Sequence, residues 1–239
     1  MSLDEYLSAY KPDFAYQFDN EIILNWYPKR IMSFIDRNKD VLELGIGHGF
    51  TCNHFSEYFK NYTVVDGSRS VITNFREAFP SSRAQIIEGF FEEFSPERKF
   101  DAIIMGFVLE HVDHPVDLLK KYREMLTPEG TCFVAVPNAE SLHRRIGVAA
   151  GLLDSVLTLG EGDLALGHQR YYTVGSLTAD LEEAGFSVRR KEGIFLKPVT
   201  TAQMASLNFT AGIIDGMCRV GLNYPELSAA LLFEARVAK

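Results

Sequence analysis

The sequence predicts an α/β protein built on a parallel sheet, on three observations. A short apolar run of Val41, Leu42 and Leu44 enters the turn Gly45-Ile46-Gly47-His48-Gly49, an amphipathic segment follows at residues 51–59, and a second apolar run ends on Asp66. Strand, glycine turn, helix and strand in that order form a βαβ unit, and the alternation continues downstream. Glycines at alternate positions let the backbone take positive φ and come close to a ligand. The first turn of the following helix adds unpaired N–H groups, so the unit reads as a nucleotide cradle, with a purely structural turn as the plainer alternative. An acid at the tip of the second strand, Asp66, suits the two hydroxyls of a ribose.

The glycine spacing selects among nucleotides. A Gly-x-Gly-x-x-Gly fingerprint counted from Gly45 needs glycine at position 50, where Phe50 stands, so the turn is not built for a pyrophosphate. The third glycine is Gly49. With Glu43, the run E-x-G-x-G-x-G resembles the first motif of the class I S-adenosylmethionine-dependent methyltransferases, and Asp66 resembles their ribose-binding acid. The resemblance implies S-adenosylmethionine as cofactor, S-adenosylhomocysteine as product, and a donor site made of Glu43, Gly45, Gly47, Gly49, Asp66, Gly67 and Ser68.

Residues 1–37 are rich in aromatics, including Tyr16, Trp26 and Tyr27. They read either as two amphipathic helices laid on the core or, by the resemblance, as a lid that closes over cofactor and acceptor. A helix is expected over residues 69–79 and a third strand over 84–87. Gly89-Phe90-Phe91-Glu92 then falls where many relatives carry a small residue followed by an adenine-binding acid. Phe90 replaces that acid. The adenine contact therefore passes to a backbone carbonyl, to Glu92, or to aromatic packing by Phe90 and Phe91.

Residues 99–106 form a buried-strand run that opens into Phe107-Val108-Leu109-Glu110-His111-Val112-Asp113-His114-Pro115. A helix at 116–125, the turn Leu126-Thr127-Pro128-Glu129-Gly130, a strand at 131–136 and Pro137-Asn138 complete the pattern. This order resembles the ubiquinone/menaquinone-type branch, the type 11/23-like methyltransferases, with Glu129 in place of the usual glycine. The resemblance covers Asp40 to Asn138. Gly106 and Phe107 lie just past a strand end, where open parallel sheets bind ligands, and are expected beside the methionine part of the cofactor.

The spacing of His111, Asp113 and His114 suits a metal, but a loop entering a proline-led helix commonly carries such residues as caps, so no metal is expected. His111 alone lines the cleft by resemblance, or makes a structural hydrogen bond. Residues 139–172 fit the alternation poorly and are read as an acceptor-pocket insertion or a dimer contact. His168, near its end, faces the transferred methyl in the resembled branch.

A helix at 174–184, a strand at 187–191, a helical stretch at 198–221 and a strand at 229–238 close the chain. Met204, Phe209 and Met217 serve the core, a pocket roof or an interface. The last two strands match the family's antiparallel edge. The full expectation is a Rossmann-like three-layer sandwich with a mostly parallel seven-stranded sheet, an antiparallel C-terminal strand and helical lid elements. It forms one domain, divided into lid (1–37), cofactor core (38–138), insertion (139–172) and C-terminal helices with edge strands (173–239).

A chain of 239 residues, 46% hydrophobic and 23% charged, suits one globular core. The net charge of −8 argues against a grip on phosphate backbones, so no nucleic acid is expected. Cys52, Cys132 and Cys218 stand far apart, which gives neither a disulfide framework nor a zinc motif. No signal-peptide pattern and no run of ~18 apolar residues occurs, so membrane insertion is not expected and a cytoplasmic location is. Methyl transfer from a sulfonium asks the protein to align acceptor and methyl, exclude water and remove a proton. His168 is the first candidate base and His111 the second. The expected activity is metal-independent transfer to a small molecule, at oxygen rather than nitrogen or carbon, by a chain that can form a homodimer. A nicotinamide oxidoreductase and a non-catalytic cofactor-binding protein are the alternatives.

Overall fold

The computed structural model describes residues 14–238. Its elements are α1 (Gln17–Met32), β1 (Asp40–Leu44), α2 (Phe50–Tyr58), β2 (Asn61–Asp66), α3 (Arg69–Ala78), β3 (Gln85–Glu88), β4 (Phe100–Gly106), α4 (Pro115–Arg123) and β5 (Leu126–Pro137). There follow α5 (Leu142–Ala149), α6 (Glu161–Ala165), α7 (Val174–Glu183), β6 (Phe186–Ile194), α8 (Thr201–Ser206), α9 (Ala211–Gly221) and β7 (Ala230–Val237).

The seven strands form one sheet in the order β3-β2-β1-β4-β5-β7-β6. β7 runs antiparallel to β5 and β6, and the other pairings are parallel. Both sheet faces are covered, so the strands read as continuous apolar runs whose alternate residues enter different cores. Leu42, Leu44, Ile103 and Met105 face a core shared with Leu119 and Tyr122 of α4 and Leu177 and Leu181 of α7. Val41, Ala102 and Ile104 face a second core with Ile23, Tyr27 and Ile31 of α1, Phe55 of α2 and Phe75 of α3. These are the three layers the sequence predicts.

Register decides where a ligand fits. Leu44 pairs with Val65 on one side and Met105 on the other. The carboxyl ends of β1, β2 and β4 thus finish level with one another, and the glycine turn, Asp66 and Gly106 share one rim.

Several elements differ from the expectation. Of the two N-terminal helices expected, the described residues hold one, α1, which contains Pro28; residues 1–13 lie outside the described residues. β5 begins at Leu126, because Leu126 pairs with Phe100 before the register shifts, so the Leu-x-Pro-x-Gly turn is taken into the strand as an irregularity. The helical stretch at 198–221 is split into α8 and α9, with Asn208 at positive φ between them. Among the described residues no helix is long and apolar enough to cross a membrane.

The insertion is a closed excursion from the sheet. Asn138 and Tyr172 form a bridge and the Ala139 N–H donates to the Tyr172 carbonyl at 2.7 Å, so both ends meet beside β5. Between them lie α5 and α6.

Candidate active site

The glycine turn has the backbone its sequence calls for. Gly45, Gly47 and Gly49 take φ of +82°, +53° and +83°. At Gly49 there is a second reason for glycine, since an added Cβ would stand 2.8 Å from the Phe75 ring. Asp66 is 8% exposed and braces the turn: Oδ2 accepts the Ile46 N–H and Oδ1 the Ser68 N–H, each at 2.8 Å. Burial raises its pKa against the pull of those two bonds. Each oxygen keeps a further lone pair, so the carboxylate can hold the turn and accept from a ligand hydroxyl together. The Ser68 hydroxyl accepts the Val71 N–H and caps α3. Gly67, between these two, is half-buried.

Glu43 lies beneath the turn, 1% exposed, with the Tyr62 hydroxyl donating to it, and burial pushes its pKa up to about 8. It supports the cradle from below. Phe91 approaches the turn from the side, its Cζ 3.7 Å from where a Gly45 Cβ would be. Phe90 stands 48% exposed. The Phe91 carbonyl accepts the Tyr122 hydroxyl, and Glu92 borders a surface cavity of about 430 Å³ with Asp113, His114, Asp117, Leu118 and Lys121. No residue of the glycine turn lines that cavity.

Phe107, at the end of β4, takes φ of +58°, a conformation sparse for an aromatic residue, and its N–H donates to the Ala135 carbonyl at 2.7 Å. α1 lies across this point. An added Cβ at Gly106 would collide with the Tyr27 hydroxyl, and the Tyr27 and Phe107 rings meet edge to face at 5.9 Å. The same helix reaches the glycine turn through Asn20, whose Nδ2 is 3.2 Å from His48 Nε2. Asp19 makes a buried ion pair with Lys197, and Arg30 pairs with Glu192 at 2.6 Å. Tyr27 is thus buried at the rim against Gly106 and Phe107, with Tyr16 placed instead against Gly162 of the insertion and Trp26 packed on the second core.

His111 and His168 meet edge to face at 4.8 Å between ring centroids. What brings them together is a set of bonds between the loop after β4 and the end of the insertion. The Gln169 N–H donates to the Glu110 carbonyl at 2.8 Å and its Nε2 to the His111 carbonyl at 2.7 Å. Arg170 donates to the carbonyls of Leu109 and Val112. Burial, followed by the neighbouring His168, pushes the His111 pKa down to about 4, so its imidazole is neutral. Behind His168, its Nδ1 3.5 Å away, stands Asp163, itself accepting from Tyr171 and the Gly160 N–H. Burial works to raise the Asp163 pKa, but the approach of His168 and the bonds from Gly160 and Tyr171 hold it below the usual carboxylate value.

His111, Asp113 and His114, whose spacing suits a metal, do not group together, and the expected capping by Asp113 and His114 is not found either. Asp113 Oδ1 accepts from Gln169, and His114 makes no capping bond although it precedes α4 and Pro115. Neither residue caps the helix. His111 joins His168 instead.

A family model described as a methyltransferase domain matches residues 22–191, well over half of the chain. The chain belongs to this methyltransferase-domain family. Solved structures share the fold of this methyltransferase. A methyltransferase from Mesorhizobium loti is 19% identical, with TM-score 0.61, covering 89% of this chain and 97% of its own. A Haloferax volcanii putative methyltransferase in complex with the Trm112 activator is 14% identical, with TM-score 0.65, over 100% and 98%. DhpI, solved with S-adenosylhomocysteine, is 17% identical, with TM-score 0.60, over 99% and 95%. No curated protein matches the sequence.

The rim of the methyltransferase fits an adenosyl donor. An added Cβ at Gly47 or Gly89 would meet no atom within 4 Å, so space is open over the turn and beside the loop after β3, with the Asp66 lone pairs between them. Sequence reasoning missed Glu110, Asp163 and Asn20. Glu110 stood next to His111 in a quoted motif and was the one legible signal; Asn20 acts through a contact distant in sequence, and Asp163 through near neighbours in a segment with no regular pattern.

Proposed function

We propose that this methyltransferase passes a methyl group to a small-molecule hydroxyl at the rim between the glycine turn, α1 and the insertion. The observation that carries this reading is the meeting of His168 and His111 beside the strand end that holds Phe107. Gly45, Gly47, Gly49, Gly67 and Ser68 would cradle the donor and Asp66 would accept from its ribose. Phe90 and Phe91 would flank the adenine, Gly106 and Phe107 would adjoin the methionine end, and Glu43 would hold the turn from below. When bound, S-adenosylmethionine supplies an electrophilic methyl on a sulfonium.

The protein's own part is alignment, exclusion of water by α1, and removal of the acceptor proton. His168, with Asp163 behind it, is the first candidate for that proton and His111 the second. The imidazole would take the acceptor's proton as the methyl is passed on, and release it afterwards to solvent. The Tyr27 and Phe107 rings can face the sulfonium charge. The charge of −8 favours a small acceptor over nucleic acid, and the three buried free thiols suit the cytoplasm. The exposed Leu152, Leu157 and Leu164 of the insertion are where a homodimer would form, which sedimentation tests.

Titration calorimetry with S-adenosylmethionine and S-adenosylhomocysteine, on wild type and Asp66→Ala, tests the donor site. Binding to wild type that is lost in the variant supports it; unchanged binding removes Asp66. Products from a panel of phenol, sugar and amine acceptors decide between oxygen and nitrogen. The latter stays in play because structural neighbours include a glycopeptide N-methyltransferase.

A further inference from the structure

Glu110 is the least explained polar group among the described residues. It is 0% exposed, and neither carboxylate oxygen has a hydrogen-bond partner. A buried carboxylate left in that state costs several kcal/mol by order of magnitude, so native proteins pair such groups, protonate them or give them a cation. Its surroundings point to the last. Donor atoms of Glu110, His111 and His168 all lie within 4.8 Å of one another.

We infer that Glu110, His111 and His168 form a site for a divalent transition-metal ion. Two imidazoles and one carboxylate are a donor set for Zn²⁺ and its first-row neighbours that leaves coordination positions open. Around a tetrahedral ion with arms of about 2.1 Å, donors stand ~3.4 Å apart, so the side chains close by roughly an ångström on binding.

The outer contacts match a metal site as well. The Gly167 backbone lies beside the His111 ring, and His168 Nδ1 faces Asp163 at 3.5 Å, which leaves Nε2 as its coordinating nitrogen. Imidazoles that ligate metals are oriented in this way by a carbonyl or carboxylate on the far nitrogen. The bonds from Gln169 and Arg170 fix the two loops that carry the ligands, and half-buried His111 gives a way in.

This inference builds on the acceptor side of the proposed function and changes how the proton is lost. With the ion held by Glu110, His111 and His168, an acceptor hydroxyl at its open position would be acidified and would lose its proton to solvent before the site closes to water. The imidazoles then serve as ligands instead of as a base.

The test uses the full chain, freed of metal by a chelator, with Zn²⁺ alone followed by calorimetry and melting temperature, and Co²⁺ alone by absorption. Expected are one Zn²⁺ per chain, a raised melting temperature, and a Co²⁺ spectrum with nitrogen ligation. Glu110→Gln and His168→Gln should lose the uptake and the thermal shift, and Asp163→Asn should weaken uptake ~10–100-fold. Circular dichroism of the metal-free variants confirms that they fold, and His111→Gln replaces any that does not. Absence of stoichiometric uptake, or uptake unchanged in both ligand variants, overturns the inference. S-adenosylhomocysteine binding measured on the same samples keeps the two readings apart. Cofactor binding without Zn²⁺ uptake refutes the metal alone, whereas Zn²⁺ uptake without cofactor binding refutes the donor site and leaves the metal standing.

Discussion

The glycine turn and the histidine cluster sit on one molecule but are built in opposite ways. The backbone of the turn is set mainly within Glu43 to Asp66, by three positive-φ glycines, the Asp66 brace and the strands on either side. The histidine cluster has no local logic. It exists because Gln169 and Arg170 tie the end of a long insertion to the loop after β4. Damage to the turn should therefore propagate through the fold, while damage to the ties should separate two histidines and leave the sheet intact.

The sharpest break of that contrast is Gly49→Val. Left-handed backbone and a Cβ 2.8 Å from Phe75 combine strain with overpacking, and a loss of roughly 2–6 kcal/mol is expected in denaturant melts, together with loss of cofactor binding. Stability close to wild type would show that the turn is not locally fixed.

Glu43 gives the turn a pH signature. Its folded pKa, raised by burial to about 8, lies above the ordinary carboxylate value near 4.5, so the folded state holds the proton more tightly than the unfolded chain. The associated stability is full below pH 4.5 and is lost as pH rises through about 8. Melting curves across that window should show a decline worth about 2–4 kcal/mol, and Glu43→Gln should flatten it.

Arg170→Ala probes the other region. Removing its bonds to Leu109 and Val112 should cost about 1.5–3 kcal/mol, with turnover falling far more than cofactor affinity. Equal loss of both would join the two regions energetically. The smallest effect is expected of Asn20→Ala, which cuts the contact from α1 to His48 and should cost about 0.5–1.5 kcal/mol while speeding cofactor release.

The same contrast explains what could be read from the chain. The strand–helix alternation, the glycine turn and the place of Asp66 at the end of β2 were legible because apolar runs and glycine spacing are written in consecutive residues. The roles of Tyr27 and Asn20 were not, since each depends on a segment returning from elsewhere, Tyr27 mattering only because Gly106 lacks a side chain beneath it; Asp163 was missed because the local turn at Gly167 that brings His168 back toward it has no regular pattern. His114 misled for the opposite reason. Its place before Pro115 imitates a cap that the backbone does not use.

A crystal structure of the complex with S-adenosylhomocysteine bears most directly on the donor site. It should show adenosine over Gly45 to Gly49, the ribose hydroxyls on Asp66, and the Ile46 and Ser68 bonds to that carboxylate preserved. A ribose bound elsewhere, with Asp66 confined to its two backbone partners, would contradict the assignment.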